Sequence, residues 1–236
     1  MSEAGLLKIY IIANKDNELN RYNNIIKQLN DFNITNYEVI DSIWGTEITE
    51  DIRKEYAKSD YSMRFHGRNM VDKPLSNGEI SLFLNHIKCL ESIKMNFDKG
   101  NFLILESDAL FTKNFKIDLQ KIIDNASFIN DWDIINIGAG QQKYMKSLGY
   151  PKTKEIVIND TNFYKENINR CSEALIWNYS SVKKFLSYFN LKKDIDGPID
   201  TKLDVFSSTG NFNIYWCNPE IVYQGSILNV YDSHLR

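Results

Sequence analysis

The stretch Asn101–Thr112, NFLILESDALFT, sets the tightest limit on what this 236-residue chain can fold into. Phe102–Leu105 is a short unbroken apolar run, the pattern of a strand buried on both faces of a parallel sheet. It ends abruptly in Glu106, Ser107 and Asp108. In an extended chain alternate side chains share a face, so Glu106 and Asp108 are expected to project together while Ser107 points away. Two carboxylates side by side at the end of a central strand repel one another unless something positive lies between them. A hard divalent cation completed by substrate phosphates meets that need, and open α/β sheets place their ligands at this end of the strands. The same two acids also read as solvated loop residues after a strand.

The elements around this strand alternate. Leu6–Ile12 reads as a first strand, and Leu19, Tyr22, Ile25, Ile26 and Leu29 then recur at helical spacing before a second strand, Tyr37–Ile40. Strand, helix and strand at this spacing form a βαβ unit with a right-handed crossover. Asn14 and Arg21 flank its first turn, where backbone amides and a cation meet a nucleotide; Arg21 also reads as a solvated helix residue. A short helix is expected over 47–58. A basic loop follows, Arg64-Phe65-His66-Gly67-Arg68 and then Lys73-Pro74, which reads either as a diphosphate clamp or as a flexible surface loop.

Ser76-Asn77-Gly78-Glu79 is a capping box that opens the strongest helix, running to about Asn96. At roughly 100° per residue, Glu79 and His86 fall within about 20° of each other at the border of its buried face. They read as a cap and a hydrogen-bonded core-edge histidine, or as site residues. Phe115–Asn125 is expected as a helix, and Asp133–Ile137 as a strand running into Gly138-Ala139-Gly140. These glycines either admit a ligand close to the backbone or simply turn the chain; they lack the spacing of a dinucleotide fingerprint. Residues 141–169 read as a long polar, mobile loop. Further strands are expected over 172–177, 212–217 and 220–224, the last two completing the sheet, with a helix capped by Ser180 between the first and second. Asp196 before Gly197-Pro198 opens another helix, and Asp200 in its first turn complements the helix dipole. The closing Ser233-His234-Leu235-Arg236 reads as a functional end or as a disordered tail.

Composition narrows the class. Hydrophobic residues make up 43% and charged residues 25%, ordinary for a soluble globular protein, and the net charge of -3 carries no basic nucleic-acid footprint. An acidic protein that holds a phosphorylated ligand needs a metal or a few placed Arg and Lys residues. Three scattered cysteines, Cys89, Cys171 and Cys217, show neither zinc nor disulfide spacing. No run approaches the ~20 apolar residues of a membrane span. The opening MSEAGLLKIYIIAN reads as a strand rather than a secretory signal, so the cytoplasm is the expected compartment.

Taken together, the order of these pieces resembles glycosyltransferase family 25, which includes lipopolysaccharide and lipooligosaccharide galactosyltransferases and collagen galactosyltransferase-like enzymes. Asn14 and Arg21 are similar to that family's Asn-Leu and Asp-Arg turn, with Asn20 in place of the acid. Tyr37–Asp41 resembles its segment ending in Val-Asp-Gly. The most specific likeness is Gly78-Glu79-Ile80, then Asn85-His86, then Leu103-Ile104-Leu105-Glu106-Ser107-Asp108, against Gly-Glu-Ile, Ser-His and a strand ending in Glu-Asp-Asp. Asn85 replaces the serine and Ser107 the middle acid. Pro198-Ile199-Asp200 resembles the family's Pro-Val-Asp, Asn218–Gln224 its Pro-x-Leu-Val-x-Gln, and Ser233–Arg236 its closing Ser-Asp-Ile-Arg, with His234 in place of an acid.

The resemblance implies a GT-A fold in one domain over 1–236, its Rossmann-like nucleotide part at 1–112 and its acceptor part at 113–236. It implies transfer of a hexose, expected to be galactose, from a UDP-sugar with inversion. The acceptor is a hydroxyl on a glycan, a lipid-linked sugar or a hydroxylated protein. Mn2+ or Mg2+ is expected on Asp108 and Glu106, with His234. Asp200, backed by Glu173, is the expected base. Asn14, Arg21, Arg64, Arg68, Glu79, His86 and Glu106 are expected around the donor. Two other classes stay open: a degenerate scaffold that binds sugar or partners without catalysis, which Ser107 and Asn85 favour, and a metal-dependent phosphohydrolase using Glu106 and Asp108.

Overall fold

A computed structural model of the chain describes residues 5–57, 62–66, 69–147, 149, 155–165, 169, 171–188 and 195–232. The chain begins with β1 (Leu6–Ala13), α1 (Leu19–Asp31), β2 (Tyr37–Asp41), a 3-10 turn (Gly45–Glu47), α2 (Glu50–Tyr56), β3 (Ser62–His66) and β4 (Asn69–Lys73). It continues through α3 (Asn77–Asn96), β5 (Asn101–Glu106), β6 (Ala109–Phe111), α4 (Phe115–Ala126), β7 (Ile134–Asn136) and α5 (Ala139–Ser147). Then come β8 (Glu155–Ile158), β9 (Thr161–Lys165), β10 (Ala174–Asn178), α6 (Tyr179–Ser187), α7 (Ile199–Ser208), β11 (Ile214–Asn218) and β12 (Val222–Gln224).

Eight strands form one sheet in the order β2-β1-β5-β10-β7-β11-β9-β8. The parallel pairs are β1 with β2, β1 with β5, and β7 with β11; β10 opposes both β5 and β7, and β9 opposes both β11 and β8. Six strands therefore share one direction, and only β9 and β10 run against them. This is the mostly parallel, helix-flanked α/β sheet expected from the sequence.

The apolar runs are continuous because each central strand is covered on both faces. Ile9, Ile11, Leu103 and Leu105 join a core with Ile25 and Leu29 of α1 and with Phe115, Leu119 and Ile122 of α4. Their neighbours Tyr10, Ile12, Phe102 and Ile104 join a second core with α3, α6 and α7. The period of two thus shows in which core each residue enters rather than in polarity. α3 begins where its capping box requires: Ser76 donates its N–H to Glu79 Oε2 at 2.7 Å, and Ser76 Oγ accepts from the Glu79 N–H at 3.2 Å. Among the described residues no helix is long and apolar enough to cross a membrane.

Several expectations need correction. Residues 141–169 are not a featureless loop: they carry part of α5 and the β8–β9 hairpin at the sheet edge. Its turn residues Asn159 and Asp160 both take positive φ, at 44° and 64°. Two such residues between alternating stretches form the tight hairpin turn that matches strand twist. The basic loop is backboned by an antiparallel pair, with Arg64 of β3 opposite Val71 of β4; Arg68 lies outside the described residues. β12 does not complete the main sheet but pairs with β6, since Pro219 has no N–H with which to extend the β11 ladder. The N-cap of α6 is Asn178, not Ser180: its Oδ1 accepts from the Ser181 N–H at 2.8 Å.

The far side of α3 closes over an aromatic group. Phe185 meets Trp177 edge-on at 5.2 Å between centroids, Phe206 at 5.5 Å and Phe212 at 5.9 Å. Phe185→Ala should lower the unfolding free energy by about 3–5 kcal/mol, read from urea denaturation. A loss near zero would show that this cluster does not hold α6 to the sheet.

Candidate functional site

The carboxyl ends of β1, β2 and β5 open into a cleft of about 530 Å³. β5 stops at Glu106, and Ser107-Asp108 form a turn before β6. Strand alternation therefore ends one residue too early to send Ser107 away. Glu106, Ser107 and Asp108 all line the cleft, and each is held by a different part of the chain.

Glu106 Oε1 accepts from Ser172 Oγ at 2.6 Å and lies 3.7 Å from His86 Nε2. Asp108 is buried; its Oδ2 accepts from the Ser226 N–H at 3.2 Å, and its carbonyl accepts from the Gly225 N–H at 2.8 Å. Burial and then the Glu106 charge push the Asp108 carboxyl above its ordinary range, against the pull of Ser226 and Arg21. Ser107 Oγ donates to Glu18 Oε2 at 2.6 Å. Glu18 is the buried N-cap of α1, and its Oε1 accepts from the Asn14 N–H at 2.8 Å. Burial raises its pKa, with Ser107, Asn14 and Arg21 acting the other way.

Asn14 organises this turn: its Oδ1 accepts from the Asp16 N–H at 3.0 Å and the Asn17 N–H at 2.9 Å. It is not among the residues lining the cleft. Arg21 does line the cleft, 3.6 Å from Glu18 Oε2. It also donates to the carbonyl of Asp232 and lies 5.3 Å from the centroid of the Tyr231 ring. Its charge is thus shared with the closing segment of the chain.

His86 is fully buried, and neither ring nitrogen has a hydrogen-bond partner among the described residues. Glu79 serves the capping box, as described above. Glu173 is fully buried behind Glu106, whose N–H donates to the Glu173 carbonyl at 3.0 Å. Its Oε1 accepts from the Gly140 N–H at 2.8 Å. A Cβ at Gly138 would sit 2.3 Å from that Oε1, and one at Gly140 2.8 Å. The two glycines therefore make room for a protein carboxyl rather than for a ligand. Burial, with repulsion from Glu106 adding to it against the Gly140 hydrogen bond, pushes Glu173 from 4.5 up to about 8. Asp200 sits in the first turn of α7, its Oδ1 accepting from the Thr201 N–H at 2.7 Å. Neither Asp200 nor Glu173 is among the cleft-lining residues. Arg64 is described only as part of β3, and His234 lies outside the described residues.

Among the described residues no group of three or more His, Cys, Asp and Glu side chains is arranged to hold a metal ion. Glu106 and Asp108 are the two carboxylates of the cleft that could hold one: the Glu106 charge raises the Asp108 pKa against the pull of Ser226 and Arg21, and phosphate oxygens would have to complete a hard cation's shell. The sequence reading missed Glu18, although its place four residues after Asn14 and three before Arg21 is visible. It also missed Trp44, Gln224 and Ser226, which line the cleft. Ser226 had no local signal, being brought to Asp108 across 118 positions.

Residues 6–194 match the family described as Glycosyltransferase family 25 (LPS biosynthesis protein). A "Glycosyltransferase 25 family member" of Aedes aegypti is 27% identical over 137 residues, covering 57% of this chain and 21% of that protein. "Procollagen galactosyltransferase 2" of Homo sapiens is 28% identical over 94 residues, covering 39% of this chain and 15% of that protein. The matched stretches thus span about a fifth or less of these two relatives' length.

Glu173 keeps its proton to higher pH in the folded state than in the unfolded one. Its contribution to stability is therefore complete below about pH 4.5 and is lost as pH rises through about 8. Unfolding midpoints measured with chelator across that window should fall with pH, and Glu173→Gln should flatten the fall. An unchanged slope in the variant would assign the effect to other groups.

Proposed function

The chain belongs to glycosyltransferase family 25, and from that premise we propose that it transfers a hexose from a UDP-sugar to a hydroxyl acceptor. Galactose is the sugar we favour, because one relative is named a galactosyltransferase. The acceptor would be a glycan, a lipid-linked sugar or a hydroxylated protein. The observation that carries this reading is the Glu106–Asp108 pair in a cleft at the carboxyl ends of parallel strands.

In this reading Asp108 and Glu106 would hold a manganese or magnesium ion, which would supply positive charge against that developing on the departing diphosphate. Ser172 orients Glu106 from one side, with His86 Nε2 3.7 Å away, and the Ser226 N–H fixes Asp108 from the other. Inversion requires a carboxylate that takes the acceptor hydroxyl's proton as its oxygen attacks the anomeric carbon. Our candidate for that base is Asp200, half-buried in the first turn of α7 outside the cleft lining, rather than the enclosed Glu173. The second reading, a sugar-binding scaffold without catalysis, draws on the absence of a third metal ligand among the described residues.

Calorimetric titration with UDP, UDP-galactose and UDP-glucose, with and without manganese, separates the two. Metal-dependent binding that Asp108→Ala abolishes is the expected result; unchanged binding would remove Asp108 from the metal. Asp200→Asn should bind donor as the wild type does but slow transfer by about 10²–10⁴-fold. Normal transfer by that variant would exclude Asp200 as the base.

A further inference from the structure

We propose that a second groove, between α5 and the segment that carries β12, binds the acceptor, and that the acceptor it fits is a lipid-linked sugar phosphate. The phosphate would meet Lys143 and Lys146, and the apolar chain would lie on Tyr223, Ile227 and Leu228. This rests on the glycosyltransferase reading and selects one of the three acceptor classes given above.

The groove encloses about 310 Å³ and lies on the same edge of the sheet as the acidic cleft. α5 leaves the carboxyl end of β7, and Glu220 and Tyr223 follow the carboxyl end of β11; both strands run in the direction of β5. Gln224 lines both cavities, so it stands where one meets the other. Only β10 separates β5 from β7 in the sheet. Two interstrand steps of about 4.8 Å therefore set the acidic pair and the start of α5 roughly 10 Å apart. A sugar unit can bridge that gap, with a hydroxyl toward the cleft and its anionic substituent in the groove.

The two cavities differ in sign. The cleft is lined by Glu18, Glu106 and Asp108 against Arg21, whereas the groove is lined by Lys143 and Lys146 against Glu220. An anion entering the first needs a metal ion; an anion entering the second meets ammonium groups directly. The surplus of positive charge in the groove is local, because the chain as a whole carries -3.

The lysines are not where a helix of this kind needs them for folding. At about 100° per residue, Ala139, Lys143 and Lys146 share one face of α5, and that face lines the groove. A helix normally turns apolar residues toward its neighbour, yet here two exposed lysines stand there. Large apolar side chains line the same groove without being buried: Tyr223 is 37% and Leu228 51% exposed, and Ile227 is half-buried. Lysine stems add apolar surface below their charged heads. Cations beside an uncovered apolar wall suit an alkyl chain joined to a phosphate better than a neutral glycan, which would leave both the charge and the wall unused.

The test is calorimetric titration with four probes below their micelle concentrations: octyl phosphate, octyl glucoside, inorganic phosphate and tetraglutamate. Wild type, Lys143→Glu, Lys143→Arg and Leu228→Asp are compared, with UDP and manganese as the donor control; all three changes are at exposed positions. Wild type should hold octyl phosphate more tightly than any other probe. Lys143→Glu should weaken octyl phosphate by about tenfold or more and leave octyl glucoside unchanged, Lys143→Arg should keep the affinity, and Leu228→Asp should weaken both octyl probes. Octyl phosphate bound no better than octyl glucoside, or equally well by Lys143→Glu, would overturn the proposal. Inorganic phosphate bound as tightly would remove the lipid, and tighter tetraglutamate would give the groove to an acidic polypeptide instead. Wild type that binds UDP with manganese but not octyl phosphate sinks the groove assignment and leaves the donor reading standing. Octyl phosphate bound by a protein that ignores UDP would remove the transferase reading, and the acceptor role with it.

Discussion

Like-charge repulsion is the constraint around which the end of β5 is built. Glu18, Glu106, Asp108 and Glu173 lie close enough that Glu18 senses Asp108, Asp108 senses Glu106, and Glu173 senses both. Among the described residues Arg21 is the cation beside them. Four buried or half-buried carboxylates so placed would destabilise the fold if all were ionised and unpaired. The chain resolves each separately. Glu18 takes a hydroxyl, an amide and Arg21; Asp108 takes a backbone amide; Glu173 keeps its proton; Glu106 takes Ser172 and faces His86. The Glu106–Asp108 pair, whose repulsion still raises the Asp108 pKa, lines the cleft.

The closing segment is part of that arrangement. Gly225 and Ser226 both donate to Asp108, and the Asp232 carbonyl accepts from Arg21 while Tyr231 covers its guanidinium. Gly225 is obligatory here, since a Cβ would fall 2.5 Å from the Tyr231 ring and 3.0 Å from the Asp108 carbonyl. A segment that began as the pairing of β12 with β6 thus ends by fixing one wall of the cleft. Because it touches both an acid and the nearby cation, a change in it would move the two together.

Features with a local physical cause were legible in the sequence. The double-faced burial of β1 and β5 appears as unbroken apolar runs, the α3 start as a reciprocal cap, and the acidic pair as carboxylates ending a strand. Features that depend on distant contacts were not. The direction of Ser107 turned on where β5 stops, and that depends on β6 leaving the main sheet to meet β12. Glu173 was expected behind Asp200 as the base, and the fit of Gly138 and Gly140 around it shows only in the folded chain. Trp44 carries no motif; its place depends on Asn85 and Ser81, about forty positions away.

The two departures from the family pattern change meaning in this light. Read alone, Ser107 in place of an acid and Asn85 in place of serine suggest a site losing its function. In the structure Ser107 holds Glu18 at the cleft, so a third carboxylate is present there although it comes from the β1–α1 turn. An acid at position 107 would meet Glu18 where the hydroxyl now bonds it, and one of the two would have to give up its charge. Asn85 likewise does what serine could not, gripping both polar groups of Ile43 at once. Loss of function predicts polar groups left without partners at such positions. Both substitutions instead have hydrogen-bond partners that tie one wall of the cleft to another.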